Sequence, residues 1–522
     1  MRGYEILNKK NDIDLILRIK DSISKNIKCN QKYTYSNIIF GNQSDKAFSI
    51  ITQYLFLRIG HLSFNSSILY YYGNQQSPLI YPLPLHWQDV LKEYDIKVSK
   101  YKSLFLWNLF IIIMGLYGFL SFIKLIFLNI INVFIKPSKP TSDFIYFDNL
   151  NFDNVPVDGN INKSKTIISW YYKTKCLDLK NIVLCHSATS TQDIITSNYQ
   201  IIYIKSPLIS FDSVRLFSLF FIVNIKTLIY VCFSFFRGHW WNVLLYSEAV
   251  KSTHINFQKQ SQIAKEYLFH NSNWLYKPLW CYAAESRGAK IIFYFYSTNI
   301  ESFKTSLSNK INANTWNLVS WNHYLVWDEY QKKFLEQFVK KSTYIEVVGT
   351  IWFSSNYTNF IKSDEKYIAV FDVQPFRDSR YKVLGIEFEY YIPKVCNLFL
   401  SDIQEVTNKY SISVKLKRKR DAGNLVHSKY LNYLRYLESK KNFEILNSRI
   451  DPYSIIENAL LVISMPFTST ALIAKELGKP TIYYDPLNLI MNDDSGSHGI
   501  KVVSCKADLD IWILENINDL LA

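Results

Sequence analysis

A chain of 522 residues is long enough for two or three domains with their own cores, and a 48% apolar content excludes a disordered chain. The net charge of +15 calls for an anionic partner: membrane lipid, nucleic acid or a phosphorylated substrate. The seven cysteines are scattered with no C-x-x-C pair, which argues against a disulfide framework or a zinc site and fits a reducing compartment.

The first twenty residues mix both charge signs and hold no apolar core, so no secretory signal is expected. Residues 1–102 are expected to open as mixed α/β structure. Phe48–Ile59 has helical spacing, Ser67–Tyr72 is a β-rich run, and a helix is expected near Trp87–Tyr94. Leu104–Ile123 is the most apolar stretch: sixteen of its twenty residues are apolar, enough to cross a bilayer core, and the run continues to Ile135. A helix apolar on every face needs lipid or a large core, so membrane contact is expected over residues 104–135. The polar residues 137–165 read as a loop or linker. Thr166–Tyr171 and Asn181–Cys185 read as strands, the second ending in a hydroxyl-rich turn over residues 187–191.

A second apolar segment occupies residues 216–236. Arg215, Lys226 and Arg237 are spaced by eleven residues, three helical turns, so all three cations share one face. That pattern suits a helix lying in the membrane interface, with Trp240-Trp241 at headgroup level. Alternating strands and helices then resume: a helix over Gln258–Leu268, another over Tyr276–Arg287, and strands over Lys290–Tyr296, Tyr324–Trp327 and Ile345–Val348. The expected division is a first domain over 1–349, a linker over 350–366, a second domain over 367–505 and a closing helix over 506–522. Within the second domain, strands are expected at Tyr367–Val373, Ser411–Leu416, Phe443–Leu446, Leu460–Ser464, Thr481–Tyr484 and Ile500–Ser504. This alternation predicts a parallel, doubly wound sheet.

Three groups carry candidate chemistry. Between strand Leu460–Ser464 and helix Ala471–Leu477 stand Pro466-Phe467-Thr468-Ser469-Thr470. A helix N-terminus at the end of a parallel strand offers N–H groups and partial positive charge, and hydroxyls added there make a phosphate site. One hydroxyl would suffice as a helix cap, which leaves two unexplained. Lys415, Lys417, Arg418, Lys419 and Arg420 cluster at the carboxyl end of another strand, where ligands bind in open α/β sheets. Gln374 and Arg377 follow the second domain's first strand and are donors for nucleotide or sugar. No Walker sequence and no G-x-G-x-x-G occurs, and the two Asp-x-Asp pairs (12 and 14, 508 and 510) lie in terminal, helix-like segments. No metal and no cofactor is expected.

The words PFTST and AKELGKPTIYYD resemble bacterial surface-polysaccharide biosynthesis proteins named for a PFTS motif. The segment Asp451–Pro486 is similar to the nucleotide-binding half of GT-B glycosyltransferases. YPLPLHWQDVLKEYDIKV resembles the opening of related polysaccharide transferases, and VWDEYQKKFLEQF with YIEVVGT the end of a GT-B acceptor domain. The resemblance implies an α/β fold of two Rossmann-like domains facing a cleft, with the apolar helices inserted in the first. It also implies a metal-independent glycosyltransferase that takes a nucleotide sugar and a lipid-linked or polysaccharide acceptor at the cytoplasmic face of the bacterial inner membrane. The nucleotide sugar would be held by Thr468, Ser469, Thr470, Lys417, Arg418, Arg420, Gln374 and Arg377. The retaining hexosyltransferase pattern has two glutamates eight positions apart. Here Glu476 is present and position 468 is Thr, as in the Ser/Thr pair of GT-B sialyltransferases, whose His-Pro pair is absent. A CMP-linked acidic sugar is the donor expected on that ground, with a UDP-hexose as the alternative. The catalytic base stays open among His186, Asp193, Glu248, His270 and Glu285. A non-catalytic assembly protein with a nucleotide-binding fold is the competing class. Nucleic-acid binding lacks any motif and is not expected.

Overall fold

The fold was read from a computed structural model. It describes the chain except residues 1, 11–14, 30–35, 75–76, 136–142, 151–153, 157–160, 162–165, 179–181, 188–193, 196–198, 271–275, 299–315, 317–318, 352–365, 377–389, 419–422, 449 and 522. Two parallel sheets organise it. The first has the order β3-β4-β2-β1-β5-β6-β7-β8, and the second β11-β10-β9-β12-β13-β14. Its strands are β1 (Phe144–Phe147), β2 (Val183–His186), β3 (Ile194–Ile195), β4 (Gln200–Tyr203), β5 (Glu266–His270), β6 (Lys290–Tyr294), β7 (His323–Val326) and β8 (Tyr344–Val347). The second sheet is built from β9 (Tyr367–Phe371), β10 (Ser413–Lys417), β11 (Phe443–Leu446), β12 (Leu461–Ser464), β13 (Thr481–Asp485) and β14 (Val502–Ser504). Among the described strands only the β3–β4 pair is antiparallel. Both sheets are buried on both faces, as helix-covered parallel sheets must be, and their central strands are continuous apolar runs. This is the two-sheet α/β architecture expected from the alternation of elements.

The first hundred residues correct the sequence reading. Their described residues form six α-helices: α1 (Arg2–Lys9), α2 (Leu15–Cys29), α3 (Asn37–Phe40), α4 (Ser44–Gly60), α5 (Leu62–Gly73) and α6 (Leu85–Glu93). The β-prone run Ser67–Tyr72 lies inside α5, because burying Phe64, Ile68, Leu69 and Tyr71 along one helical face outweighs local strand preference. Next come α7 (Lys100–Ile135), α8 (Ile167–Lys175), α9 (Val214–Phe236), α10 (Trp240–Leu244), α11 (Tyr246–Phe257), α12 (Leu279–Ser286) and α13 (Glu329–Glu336). Residues 166–171, read as a strand, begin α8 instead: Thr166 Oγ1 accepts the Ser169 N–H at 3.3 Å as an N-cap. The end of the expected helix 258–268 is β5, and the expected linker 137–165 contains β1, the centre of the first sheet. The expected interdomain linker 350–366 lies almost wholly outside the described residues.

Helices α7 and α9 pack on α10 and α11 and on each other, beside α1–α6. Trp240 and Trp241 do not reach out as headgroup anchors. Trp240 packs edge-on against the buried Trp107 at 5.2 Å, and Trp241 stacks on His239 at 4.9 Å. In the second unit α14 (Pro393–Lys409), α15 (Ser428–Glu438), α16 (Pro452–Asn458) and α17 (Ser469–Glu476) flank the sheet. The closing helix α18 (Lys506–Leu521) is tied to α14 by Lys409 and Asp510 at 2.5 Å.

Candidate active site

In the second sheet the chain order reverses between β9 and β12, so a crevice opens beyond the carboxyl ends of those two strands. β9 delivers Asp372 and Gln374 there, β12 delivers the Met465–Thr470 turn, and the adjacent β10 delivers Lys417 and Arg418. Six of the eight expected nucleotide-sugar residues therefore meet at one edge: Thr468, Ser469, Thr470, Lys417, Arg418 and Gln374. Arg377 and Arg420 lie outside the described residues.

The turn is held from several sides. Met465 N–H donates to the Phe371 carbonyl at 2.8 Å, Val373 N–H to Met465 Sδ at 3.3 Å, and Tyr391 OH to the Pro466 carbonyl at 3.0 Å. Phe467 takes a left-handed backbone, φ +61, a conformation disfavoured for residues with a Cβ. Its buried ring on Tyr483, 5.7 Å away, holds it there. Thr468 occupies the N-cap of α17, yet its hydroxyl makes no cap bond. It donates back to the Met465 carbonyl at 3.0 Å and bonds Thr470 Oγ1 at 3.2 Å, which in turn meets Ser464 Oγ at 3.2 Å. Capping thus does not account for the hydroxyls. They form a connected row along the turn.

Beside this row sits a buried charge cluster. Tyr430 OH donates a short hydrogen bond to Asp372 Oδ2. Burial pushes the Asp372 carboxyl up to about 6, against the Tyr430 bond and the nearby Arg418 and Lys417 charges. Lys417 is buried and donates to the Ser448 and Arg418 carbonyls at 3.1 and 3.3 Å. Burial brings its ammonium down to about 8, with Asp451 and Asp372 opposing. Three polar atoms here are buried without a hydrogen-bond partner among the described residues: Asp372 Oδ1, Gln374 Oε1 and Arg418 Nε. Such groups are expensive to bury unbonded and are suited to contact with a polar ligand. Lys415, counted in the same basic run, is committed elsewhere: its ammonium meets Glu444 at 3.4 Å and the Tyr367 ring at 4.7 Å.

The first sheet reverses between β1 and β5, and its crevice lies beyond their ends. An open cleft of about 370 Å³ is lined there by Tyr146, Asp148, Asn149, Ser187, Lys205, Ser206 and Pro207. Ser187 Oγ accepts the Asn149 N–H at 2.6 Å, and the His270 ring bonds the Asn149 carbonyl at 3.3 Å. Burial holds the His270 imidazole below its ordinary value. His186 ends β2, fully buried, against the Tyr203 ring.

Of the five candidate bases, then, His186 and His270 stand at this edge. Asp193 lies outside the described residues. Glu248 is buried among the helices, accepting the Leu279 N–H at 2.9 Å and Tyr276 OH at 3.4 Å, the position of a cap on α12. Glu285 pairs with the buried Lys277 at 2.5 Å and Asn322 Nδ2 at 3.1 Å, next to the start of β7 and so at the opposite end of the sheet. Neither glutamate reaches the cleft residues. Asp148, Lys205 and Asp372 were not singled out from sequence. Asp148 and Asp372 share a signal that was there to read, a lone carboxylate directly after a short apolar run.

The two units meet where Asp328, just past β7, receives His498 of the second unit at 2.7 Å. Lys475 Nζ donates to the His498 carbonyl at 3.0 Å.

A family profile described as "Polysaccharide biosynthesis PFTS motif protein" matches residues 218–513, more than half of the chain. No curated protein matches it in sequence. Among solved structures, it is similar to UDP-GlcNAc 2-epimerase from Methanocaldococcus jannaschii, with 10% identity, a TM-score of 0.36 and coverage of 72% of this chain and 92% of that one. HepE of Anabaena, solved with UDP and glucose, gives 9% identity, a TM-score of 0.36 and coverage of 73% and 91%. A wall teichoic acid polymerase, TagF, gives 9% identity, a TM-score of 0.34 and coverage of 71% and 78%. Likenesses at this level assign no site and no substrate.

Proposed function

Because the chain belongs to the family of polysaccharide biosynthesis PFTS motif proteins, we propose that it is a glycosyltransferase that moves a sugar from a nucleotide donor to a growing or lipid-linked glycan. The observation that carries the reading is the crevice between β9 and β12. It combines a hydroxyl row at a helix N-terminus, a cationic pair, and buried polar atoms with no partner among the described residues. In this reading the donor phosphate lies on the α17 N-terminus against Thr468 and Thr470, with Ser469 beside it. Arg418 neutralises it, aided by Arg420, while Gln374 and Arg377 bind base or sugar.

Transfer then forms a bond from the acceptor oxygen to the anomeric carbon as the bond from that carbon to the phosphate oxygen breaks. The nucleotide leaves with the electron pair, and the acceptor proton passes to a base on the first sheet's edge. His270, whose imidazole burial holds below its ordinary value, and Asp148 in the cleft suit that role better than Glu248 or Glu285, which lie away from that edge. Besides the threonine at 468, an acidic, CMP-linked sugar would call for a surplus of cations beyond those the nucleotide phosphate occupies. Lys415 is paired away and Lys417 is bonded to carbonyls beside two aspartates, so that surplus shrinks to Arg418 and Arg420, no more than a UDP diphosphate would occupy.

Thermal-shift titration with CMP, UDP, GDP and ADP identifies the base, since a ligand stabilises according to its occupancy of the folded state. The expected result is stabilisation by one pyrimidine nucleotide, weakened roughly tenfold or more by Arg418→Ala and by the Thr468→Ala, Thr470→Ala pair. Stabilisation by none of the four, in folded protein, rejects the reading in favour of a non-catalytic assembly protein.

A further inference from the structure

Helix α9 is built inside out, and α7 is apolar on its outer face as well as its inner one. The seam that α9 turns toward the protein holds Phe220, Asn224, Thr227, Val231 and Ser234, spaced four and three apart. Three of these five are polar, and their bonds are made inside: Thr227 Oγ1 to the Ile38 and Val223 carbonyls, Ser234 Oγ with Asn242 Nδ2, Asn224 Nδ2 to the Phe220 carbonyl. The opposite face, turned to solvent, carries Phe221, Ile222, Ile229, Phe233 and Phe236, each at least 40% exposed. On α7 the inward seam is mixed, with Ser103, Gly118 and Asn129 among Trp107, Ile111, Phe122 and Leu125, while Phe105, Leu116, Leu120 and Phe127 on the outer face are more than half exposed. Water-soluble helices place polar groups outward and apolar ones inward. Exposed apolar faces on two adjoining helices far exceed the scattered residues normal on a monomer. The two helices adjoin along this side: the buried Phe122 ring of α7 lies 5.9 Å from the Phe221 ring on the exposed face of α9.

We propose that this two-helix face is a one-sided membrane-binding surface, sunk into a single leaflet that contains anionic lipid and not crossing the bilayer. The proposal deepens the membrane side of the functional reading above and is independent of which nucleotide binds. Both helices are apolar and long enough to span, but their surroundings exclude it. Each is packed along one seam against α10 and α11. The helices before α7 touch the sheet unit after α9: α4 meets α12, and the Tyr54 and Tyr276 rings lie 5.2 Å apart. Both ends of α7 therefore belong to one packed body, with no room for about 30 Å of hydrocarbon between them.

Charge selects the lipid. Arg215 and Lys226 are exposed on α9, Arg237 just past its end, and Lys124 on α7, within or at the rim of the apolar face, on a chain of net charge +15. Long cationic side chains can reach from such a face to phosphate headgroups. A second copy of the chain is the poorer occupant, since a symmetric interface would set these cations against their own counterparts.

Flotation of the full-length protein with vesicles tests this. Binding is expected to vesicles rich in phosphatidylglycerol and to be much weaker with phosphatidylcholine alone, about fivefold for each engaged cation. Leu116→Glu with Ile222→Glu should lower binding more than tenfold while leaving circular dichroism and nucleotide affinity unchanged. Lys226→Glu should reduce only the part that depends on anionic lipid. Native thiols report the geometry: Cys232 on the exposed face of α9, Cys176 and Cys505 are free and exposed. A water-soluble maleimide should label all three in solution and lose only Cys232 on vesicles. Absence of vesicle binding by folded protein, or a dimer in sedimentation that Leu116→Glu dissolves, overturns the proposal. So does accessibility of residues near 60 or near 150 from outside intact cells.

Discussion

Asp372 and Lys417 are two buried groups of opposite sign whose proton equilibria have been moved toward each other. Asp372 is brought up to about 6 from 3.8, and Lys417 down to about 8 from 10.5. The folded chain holds the Asp372 proton over a range in which the unfolded chain has given it up. Stability from this group is therefore full below 3.8 and is lost as pH rises toward about 6. Lys417 has the reverse sign: the folded chain sheds its proton first, so stability rises with pH from about 8 toward 10.5. For an anionic ligand both steps act in the same direction, because a neutral Asp372 and a charged Lys417 each favour phosphate. Sugar-nucleotide affinity should fall in two steps as pH rises, near 6 and near 8, by roughly fivefold per step. Calorimetry across that range should find the lower step missing in Asp372→Asn.

Among the elements, α7 depends on a close approach at Gly118. A Cβ added there would lie 2.5 Å from Tyr246 Cδ1 and 2.9 Å from the Ser247 backbone N. The ring can shift, but the backbone cannot, so Gly118→Ala should cost about 1–3 kcal/mol. Urea denaturation should show the loss while nucleotide affinity at the second sheet stays unchanged. The legibility of the elements follows the same physics of surroundings. β12 and β13 could be read because Pro466 and Gly478 punctuate runs that have no competing helical period. β1 could not: four apolar residues in a polar stretch read as loop, and its central place depends on β2 and β5, which are remote along the chain. The run in α5 read as strand because its helical face is completed by α1 and α4. At the site, the residue types of the PFTS turn were visible and so was their place between strand and helix. The left-handed Phe467, the backward bond of Thr468 and the shared burial of Asp372 with Tyr430 are tertiary facts with no local pattern.

For the whole molecule, the His498–Asp328 pair is the clearest tie between the two units. His498 is buried in a left-handed turn, and Asp328 also caps α13 through the Gln331 N–H at 2.9 Å. Burial pushes the Asp328 carboxyl up, yet the His498 bond and charge, helped by Gln331, bring it below its ordinary value. That contribution is present above the ordinary carboxylate range and lost as pH falls through the depressed value. His498→Ala should cost about 1–3 kcal/mol and loosen the units without unfolding either. Small-angle scattering should show an increased radius of gyration, and Asp328→Asn should repeat it.

The position of β1 has a further consequence, in time. Its two neighbours are β2, made soon after it, and β5, made only once α9, α10 and α11 have been added. At roughly 5–20 residues per second, the most central strand of the first sheet keeps one edge open for roughly ten seconds of synthesis. Nascent chains stalled before Glu266 are therefore expected to be cut readily by protease near β1, and chains extended well past His270 to resist. During that interval α7 and then α9 have already left the ribosome, so both apolar helices must find cover before the sheet that anchors them has closed.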